Sequence, residues 1–342
     1  ATGDGLIHSV IYRTYYKNGV YDFSDAVKYV KDIVSEYDIA YYNQETPTGD
    51  DSIAYSGYPM FYTPSAYVDA MRAVGFNTVS LASNHSLDKG EKGILNTVKY
   101  FKTTDILYSG MSDSETDRNN FIIKEKTNIT YTMLSYTTIT NGLNVPVGKS
   151  YLLNKYDKEQ VKKDIEAVRD KVDVLIVAMH WGVEYINMPN DEEKEIAGYL
   201  SSLGVDIVIG NHPHILQPIT KIGDTIVMYS LGNFISNQYG GTNGDWNKLI
   251  GFMATLDITK NVTKDNEVNM TFDNLGGELI FTKYKGNPVT TAVHSGHTVI
   301  PFSKMTDDSY LKDYERLYNK YTGVLKSLGQ DLNIAPIGSR AN

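Results

Sequence analysis

Two histidines separated by one residue follow an apolar segment near the middle of the chain. The segment 205–209 is short enough, and rich enough in β-branched side chains, to form a buried strand. The sequence Gly-Asn-His-Pro-His follows it at 210–214. Ligands usually bind near the carboxyl ends of such strands. Imidazole is a good ligand for transition metals. The pair His212 and His214 therefore indicates a metal or catalytic site.

Other polar side chains follow predicted strands in the same way. Oxygen and imidazole donors that arrive from separate strand ends are what a site for two divalent cations requires. Each short motif alone is common as a polar turn, so the argument depends on their convergence. The residues at strand ends are Asp4, Glu45, Asn84, His85, His180, His212 and His214.

Composition limits the classes of protein that the chain can belong to. The 342 residues are 41% hydrophobic, so they can bury a large core. The formal net charge of −9 argues against a nucleic-acid partner, because phosphate backbones need a basic surface. Cysteine is absent, so any metal must be held by His, Asp, Glu or Asn. Because the chain begins at Ala1 rather than at methionine, we expect that a signal or anchor segment precedes it in the full-length protein.

The first two thirds of the chain alternate between helical and strand patterns, which predicts an α/β fold. The predicted helices cover residues 23–37, 64–74, 90–101, 158–172 and 192–203. The predicted strands cover residues 38–42, 78–81, 174–179 and 205–209. Residues 121–123 and 129–134 are expected to pair in antiparallel fashion around a turn at 126–128.

The pattern changes beyond residue 215, where strands follow one another without helices. They are predicted at residues 225–229, 252–258, 268–272, 277–284 and 289–293. We predict two sheets packed face to face with helices outside, the first mixed and the second antiparallel. A single domain is expected over residues 1–304, followed at 305–342 by a helix (305–328) and a tail. His294 and His297 lie outside every motif, so we expect them to be ordinary surface or edge residues.

Taken together, the motifs resemble those of the CapA family of poly-γ-glutamate capsule proteins, within the calcineurin-like metallophosphoesterase superfamily. The resemblance extends from about residue 3 to residue 235. It implies a four-layer α/β/β/α sandwich of two facing sheets. The motifs are Gly3-Asp4, Asn43-Gln44-Glu45-Thr46-Pro47, Ser83-Asn84-His85, His180-Trp181-Gly182, Gly210-Asn211-His212-Pro213-His214 with Gln217, and Tyr229-Ser230-Leu231-Gly232-Asn233-Phe234.

The resemblance also implies a role for each residue at the site. It makes Asp4, His212 and His214 metal ligands, and it makes Glu45 the stand-in for a bridging aspartate. Asn84 and His180 become ligands of a second metal, and His85 becomes the residue that handles protons. The implied cofactor is two divalent ions, such as Mn, Zn or Fe. Further residues that could take part are His8, Asn211, Trp181 and Asn233.

Two functions are compatible with these motifs. One is hydrolysis of a phosphoester by metal-activated water in capsule or poly-γ-glutamate biosynthesis. The other is a non-catalytic component of assembly or export that binds acidic polymer or metal. In either case the resemblance implies acidic polymer or membrane proteins of capsule synthesis as partners. It also implies a location outside the cytoplasm, at the cell envelope, with the full-length protein anchored or exported.

Overall fold

A computed structural model describes residues 1–238, 246–265, 267–286 and 294–341. The predicted strand 289–293 lies outside these residues. The strands of the first half are β1 (Asp4–Gly5), β2 (Tyr16–Lys17), β3 (Val20–Tyr21), β4 (Tyr41–Gln44), β5 (Thr48–Gly49), β6 (Thr63–Pro64), β7 (Thr78–Ser80), β8 (Leu107–Ser109), β9 (Lys124–Lys126) and β10 (Ile129–Thr137). The later strands are β11 (Val174–His180), β12 (Ile207–Asn211), β13 (Ile219–Ile222), β14 (Thr225–Met228), β15 (Asn233–Ile235), β16 (Ile250–Val262), β17 (Val268–Lys285), β18 (Ser295–Pro301) and β19 (Asn333–Ile334).

Helices alternate with strands through most of the first two hundred residues, as the sequence pattern predicts. The α-helices are α1 (Ser9–Thr14), α2 (Ser24–Val27), α3 (Lys31–Val34), α4 (Ala66–Val74), α5 (Gly90–Phe101), α6 (Glu115–Arg118), α7 (Lys158–Val168), α8 (Asp191–Ser202) and α9 (Tyr314–Leu325). Helix α8 begins with a capping box, in which Asn190 and Glu193 each accept a hydrogen bond from the other's backbone N–H. Among the described residues, none of the helices combines the length and apolar character that crossing a membrane requires.

The described residues form three larger sheets, and the mixed α/β class is confirmed. The first contains only parallel strands in the order β15-β1-β4-β7-β8. The second is mixed, in the order β13-β14-β12-β11-β10-β9. The third consists of β16, β17 and β18 in antiparallel pairs, with β19 parallel to β17.

The prediction that the strands after residue 215 form one antiparallel sheet is wrong in part. Strand β14 pairs in parallel with β12, and β15 pairs in parallel with β1. Of the described strands beyond residue 215, β16 to β18 build the separate antiparallel sheet. Hydrophobic spacing identifies a strand but carries no information about its pairing partner, because that partner is selected by long-range packing.

Several predicted boundaries also differ from the structure. The helix expected at 23–37 is divided into α2, a 3-10 turn at Lys28–Val30 and α3. The helix expected at 305–328 is limited to α9. The strand expected at 121–123 forms later, at β9, because a two-residue turn with left-handed Thr127 and Asn128 brings it directly against β10.

Buried side chains pack on both faces of the second sheet. Leu175 and Val177 of β11 contact a core that includes Ile165 of α7 and Leu200 of α8. Ile176, from the same strand, points to another core that includes residues of β16, β17 and α9. Residues 305–341 pack against the third sheet through α9 and β19. The division into a domain at 1–304 and a terminal segment stays a prediction.

Candidate metal centre

The carboxyl ends of the first two sheets place the predicted site residues side by side. Parallel register sets Asp4 of β1 beside Asn43 of β4 on one side and Asn233 of β15 on the other. In the second sheet, His180 at the end of β11 is level with Asn211 at the end of β12. Because parallel strands end at the same edge, the loops that follow them bring their side chains to one location.

Glu45 lies between His180, at the end of β11, and His214, in the loop after β12. Its Oε1 atom is 3.6 Å from Nε2 of His214 and 3.9 Å from Nε2 of His180. Asp4 Oδ2 is 3.2 Å from the other ring nitrogen of His214, Nδ1. The Asn84 side-chain oxygen is 3.0 Å from His180 Nε2. These contacts bring residues from both sheets into one buried cluster.

His212 completes this cluster. Its backbone N–H donates to Asp4 Oδ2 at 3.3 Å, and its ring centroid lies 4.9 Å from that of His180. The structure therefore brings together all six of the predicted ligands. That they bind metal stays a prediction, because contact alone does not establish ligation.

The donor set fits a divalent cation. Glu45, His212 and His214 each offer a ligand atom, and these atoms lie within 4.8 Å of one another. Both carboxylate oxygens of Glu45 and the Nδ1 atom of His212 are buried and have no hydrogen-bond partner among the described residues. Buried polar atoms without partners are unfavourable, so a bound cation accounts for these atoms better than a purely structural role does.

The pKa values show that the cluster stabilises positive charge at one position. Burial and the neighbouring imidazoles of His214 and His85 lower the pKa of His212 to about 3, although Asp4 opposes the shift. Burial also lowers the pKa of His214, but the carboxylates of Glu45 and Asp4 outweigh it and raise the value to about 9. Burial also raises the pKa of Glu45 well above its usual range, so Glu45 and His214 compete for a proton at the place where a bound cation would be favourable.

The backbone around the two histidines is strained. His212 and His214 have φ values of 99° and 59°, in the left-handed region that non-glycine residues seldom adopt. Gly210 precedes them where a Cβ atom would lie 1.9 Å from the Tyr229 carbonyl oxygen, so only glycine fits. Strain of this kind persists where the surrounding structure imposes it, and it is frequent at functional sites.

His85 lies beside the cluster and contacts an acidic partner. Its Nδ1 atom is 2.8 Å from Asp88 Oδ2, which also accepts the Phe61 backbone N–H at 2.6 Å. The Phe61 ring packs edge-on against the His85 ring, with centroids 4.6 Å apart. Asp88 and Phe61 together fix the orientation of this imidazole. The role of His85 in proton transfer stays a prediction.

The four additional residues take different positions. Asn233 Oδ1 lies 3.0 Å from His214 Nδ1, so this residue contacts the cluster directly. Asn211 instead donates to the hydroxyl of Tyr41 at 2.9 Å, which joins the two sheets behind the site. Trp181 is fully buried and donates its ring N–H to the Tyr229 carbonyl.

His8 lies at the edge of the site. Its Nδ1 atom is 3.3 Å from the backbone nitrogen of Asn237 and 3.1 Å from the Leu6 carbonyl oxygen. Burial lowers its pKa to about 4, and His214 and His85 are close enough to contribute to this shift. Because Leu6 and Asn237 flank its Nδ1 atom, that atom faces protein backbone rather than the cluster.

Three residues at the site received no role from the sequence. Asn43 donates to Asp4 Oδ1 at 2.8 Å, and Asp88 contacts His85 as described above. Both are close in sequence to predicted site residues, so the motif Asn43-Gln44-Glu45 and the spacing of three between His85 and Asp88 were available signals. The Tyr185 and His214 rings lie close together, with centroids 6.1 Å apart. The sequence around Tyr185 contains no motif that would have indicated a place at the site.

His294 and His297 were expected to be ordinary surface or edge residues, and the surface alternative is wrong, although His297 does lie in β18, an outer strand of the third sheet. Their exposed fractions are 2% and 0%. The left-handed Gly296 interrupts the side-chain alternation between them. As a result both rings contact the Asn237 side-chain oxygen, each through a nitrogen 2.8 Å away.

Comparison with known proteins identifies the family. The model of the bacterial capsule synthesis protein family PGA_cap matches residues 1–238. This chain therefore belongs to the PGA_cap family, which is calcineurin-like and includes CapA.

Two curated relatives are named CapA. The PGA biosynthesis protein CapA of Bacillus subtilis (strain 168) is 31% identical over 179 residues, which cover 50% of this chain and 45% of the relative. The capsule biosynthesis protein CapA of Bacillus anthracis is 31% identical over 175 residues, which cover 50% and 43%. The chain thus spans less than half the length of these relatives.

Proposed function

We propose that this chain is a metal-dependent phosphoesterase that acts in capsule or poly-γ-glutamate biosynthesis. The observation that carries the proposal is the buried group Glu45, His212 and His214, whose ligand atoms lie within 4.8 Å of one another. The membership in a calcineurin-like family and the parallel strands that present this group support a four-layer α/β/β/α sandwich with the site at its strand ends.

The proposed ligands divide between two positions. Asp4, His212 and His214 would hold one cation, and Asn84 and His180 would hold the second. Glu45 lies between His214 and His180, where its carboxylate would bridge the pair. Divalent cations bound there supply Lewis-acid polarisation of a phosphoryl oxygen and activate water at neutral pH.

The remaining residues orient groups around the reacting phosphoryl group. Asp88 contacts Nδ1 of His85, which leaves the opposite ring nitrogen to give a proton to the leaving oxygen. Asn43 donates to Asp4 and lies 3.5 Å from His180 Nδ1, so it fixes one ligand from each proposed position. Asn233 restrains His214 in the same way.

A direct experiment tests the proposal. Protein purified without chelator is analysed for bound metal, and turnover of an aryl phosphate is measured with added Mn or Zn. We expect bound metal and metal-dependent turnover in the parent and loss of both in Glu45→Gln. Glu166→Gln, which removes a carboxylate that is 62% exposed, is the matched control and should behave as the parent does. Turnover that persists in Glu45→Gln would contradict the proposal.

A non-catalytic role in assembly or export is the second candidate. The chain is acidic, with a net charge of −9, so an acidic polymer would need a local positive centre. Bound metal would provide that centre. Binding of poly-γ-glutamate by the metal-loaded protein, with no turnover of any phosphoester, would favour this role. In both cases we propose a location at the cell envelope, because the relatives are named as capsule or PGA biosynthesis proteins.

A further inference from the structure

Tyr185 is held in a strained conformation at the mouth of the metal centre. Its φ value is 66°, in the left-handed region that a bulky aromatic residue rarely adopts. The side chain is 38% exposed, so burial of the ring does not account for the strain. An outlier of this kind beside a candidate site suggests a functional role for the residue.

Several contacts fix Tyr185 relative to the cluster. Its backbone N–H donates to the Pro213 carbonyl at 2.9 Å, directly between His212 and His214. Its hydroxyl accepts a hydrogen bond from Gln238 Nε2 at 3.2 Å. The Tyr185 and His214 rings are inclined by 30°. An exposed aromatic ring is thereby positioned beside the proposed ligands.

A lysine ammonium accompanies this ring. Lys248 Nζ lies 4.2 Å from the centroid of Tyr185, a cation–π contact. The Lys248 carbonyl accepts from Asn233 Nδ2 at 2.7 Å, and Asn233 in turn contacts His214. Tyr185 and Lys248 are therefore connected to the cluster by separate sets of hydrogen bonds. Within the part of the chain that the structure describes, Lys248 forms no ion pair.

The charges at the mouth limit what can bind there. Glu184 immediately precedes Tyr185 and is exposed, so its carboxylate also lies at the mouth. An anionic group is therefore favourable next to the Lys248 ammonium and unfavourable near Glu184. A single ammonium beside a carboxylate suits a monoanion better than a dianion, since polyanions are usually bound by several cations or by arginine.

We propose that Tyr185 and Lys248 form a subsite for the leaving group of the phosphoester, and that the preferred leaving group carries a carboxylate. Lys248 contacts the carboxylate, and the ring of Tyr185 supports the atoms between it and the phosphoryl group. This inference rests on the proposed function, because the metal centre must hold the phosphoryl group. It adds the class of substrate, a phosphoester of a small hydroxy acid or of a carboxylate-bearing chain.

Two phosphonates of similar size test the subsite by binding alone. Phosphonoacetate carries a carboxylate where ethylphosphonate carries a methyl group, and neither can be hydrolysed at an ester bond. With Mn-loaded protein in a calorimeter, we expect phosphonoacetate to bind about tenfold more tightly, the effect of one charge-assisted contact. The preference should disappear in Lys248→Gln and persist in Lys31→Gln, an exposed lysine on α3.

The lysine variants also exclude a different origin of the preference. A carboxylate could bind the metal directly, and a preference that survives in Lys248→Gln would show this and overturn the inference. The same ratio is then measured as KM for 2-phosphoglycolate against ethyl phosphate. Equal binding of the two phosphonates by the parent would also overturn the inference, while leaving the proposed function intact.

A glycine variant separates the role of the Tyr185 ring from stability. Tyr185→Gly removes the ring and relieves the left-handed backbone strain, so the Tm should not fall. We expect the preference for phosphonoacetate to drop several-fold, whereas Tyr185→Phe should retain most of it. An unchanged preference in Tyr185→Gly would remove Tyr185 from the subsite. If metal-loaded parent bound neither phosphonate and hydrolysed no ester, the proposed function itself would fail.

Discussion

This protein has two groups of buried histidines: the first lies in the candidate metal centre, and the second consists of His294 and His297. The groups differ in what their ring nitrogens contact. In the second group, His294 and His297 each place a nitrogen 2.8 Å from one amide oxygen of Asn237. In the candidate metal centre, His180 and His214 also have an amide oxygen 3.0 Å away, from Asn84 and Asn233, but the Glu45 and Asp4 carboxylates lie 3.2 to 3.9 Å from their ring nitrogens as well. A buried ring nitrogen without a described hydrogen-bond partner occurs in both groups, at His212 Nδ1 and at His297 Nδ1. A neutral amide adds no charge beside the imidazoles that it contacts, whereas carboxylates buried among imidazoles favour a compensating positive charge, from a proton or a metal ion.

The pKa shifts of single histidines do not distinguish the two groups. Burial lowers the pKa of His212 and that of His297 to the same value, about 3. The difference appears at His214, whose pKa is raised to about 9 because Glu45 and Asp4 outweigh the effect of burial. The carboxylates, rather than the imidazoles, therefore mark the cluster that should bind metal.

The largest expected effect is that of a substitution at His85 on the hydrolytic rate. His85 belongs to the first group and lies beside the proposed metal ligands. His85→Ala should lower any hydrolytic rate by roughly a hundredfold to ten-thousandfold, as expected for loss of a general acid, and should retain bound metal. The loss should be smaller for nitrophenyl esters, whose leaving group needs no proton. Metal analysis and steady-state rates on both ester types make the measurement. Loss of metal in this variant would reassign His85 as a ligand.

Removal of a ligand should affect metal affinity more than folding. His212→Ala should weaken metal binding by about a hundredfold or more, since the loss of a residue that only orients a ligand already weakens it by about ten- to a hundredfold. The strand that precedes His212 is held by core residues, so the metal-free protein should unfold at nearly the same temperature. Titration with Zn or Mn, alongside thermal unfolding in chelator, measures both quantities. Full metal occupancy in the variant would mean that His212 is not a ligand.

A change in the second group should instead lower the stability of the fold and leave metal binding unchanged. Asn237→Ala removes the acceptor shared by His294 and His297, and leaving two buried ring nitrogens without it should lower the free energy of unfolding by about 2 to 4 kcal/mol. Metal content should equal that of the parent, because the substitution keeps the Asn237 backbone N–H that faces His8. Urea unfolding and metal analysis test this. If metal content fell as well, the two groups would be coupled.

The smallest effect concerns Glu193, whose carboxylate packs against Gly182, three residues before Tyr185. Burial raises its pKa from 4.5 to about 7, although the hydrogen bond from Asn190 opposes the shift. The folded state therefore binds the proton more tightly than the unfolded state, so stability decreases as the pH rises from about 4.5 to about 7 and then levels off. Glu193→Gln should remove this decrease and be more stable than the parent at pH 8 by about 1 to 3 kcal/mol. Parallel pH dependence of unfolding in both proteins would contradict this assignment.

The elements of the first two hundred residues were largely predictable because their patterns are local. The 12 residues of α5 match the predicted range 90–101, since apolar spacing and the surrounding turns define that helix without help from the rest of the fold. Helix α9 is shorter than predicted, because residues 305–313 follow the surface of the third sheet instead of continuing the helix. Amphipathic spacing alone could not distinguish these outcomes.

The sequence by itself determined which side chains are available at the strand ends. The absence of cysteine, the His-x-His pair and the polar residues after β4, β7 and β11 limit the chemistry to oxygen and imidazole donors. Only the tertiary structure decided which of these donors lack other partners. It placed Glu45 between His180 and His214, and it gave His294 and His297 an amide partner. Partners such as Asn237 are distant in the chain, so local periodicity carries no information about them, whereas packing of the sheets brings them together.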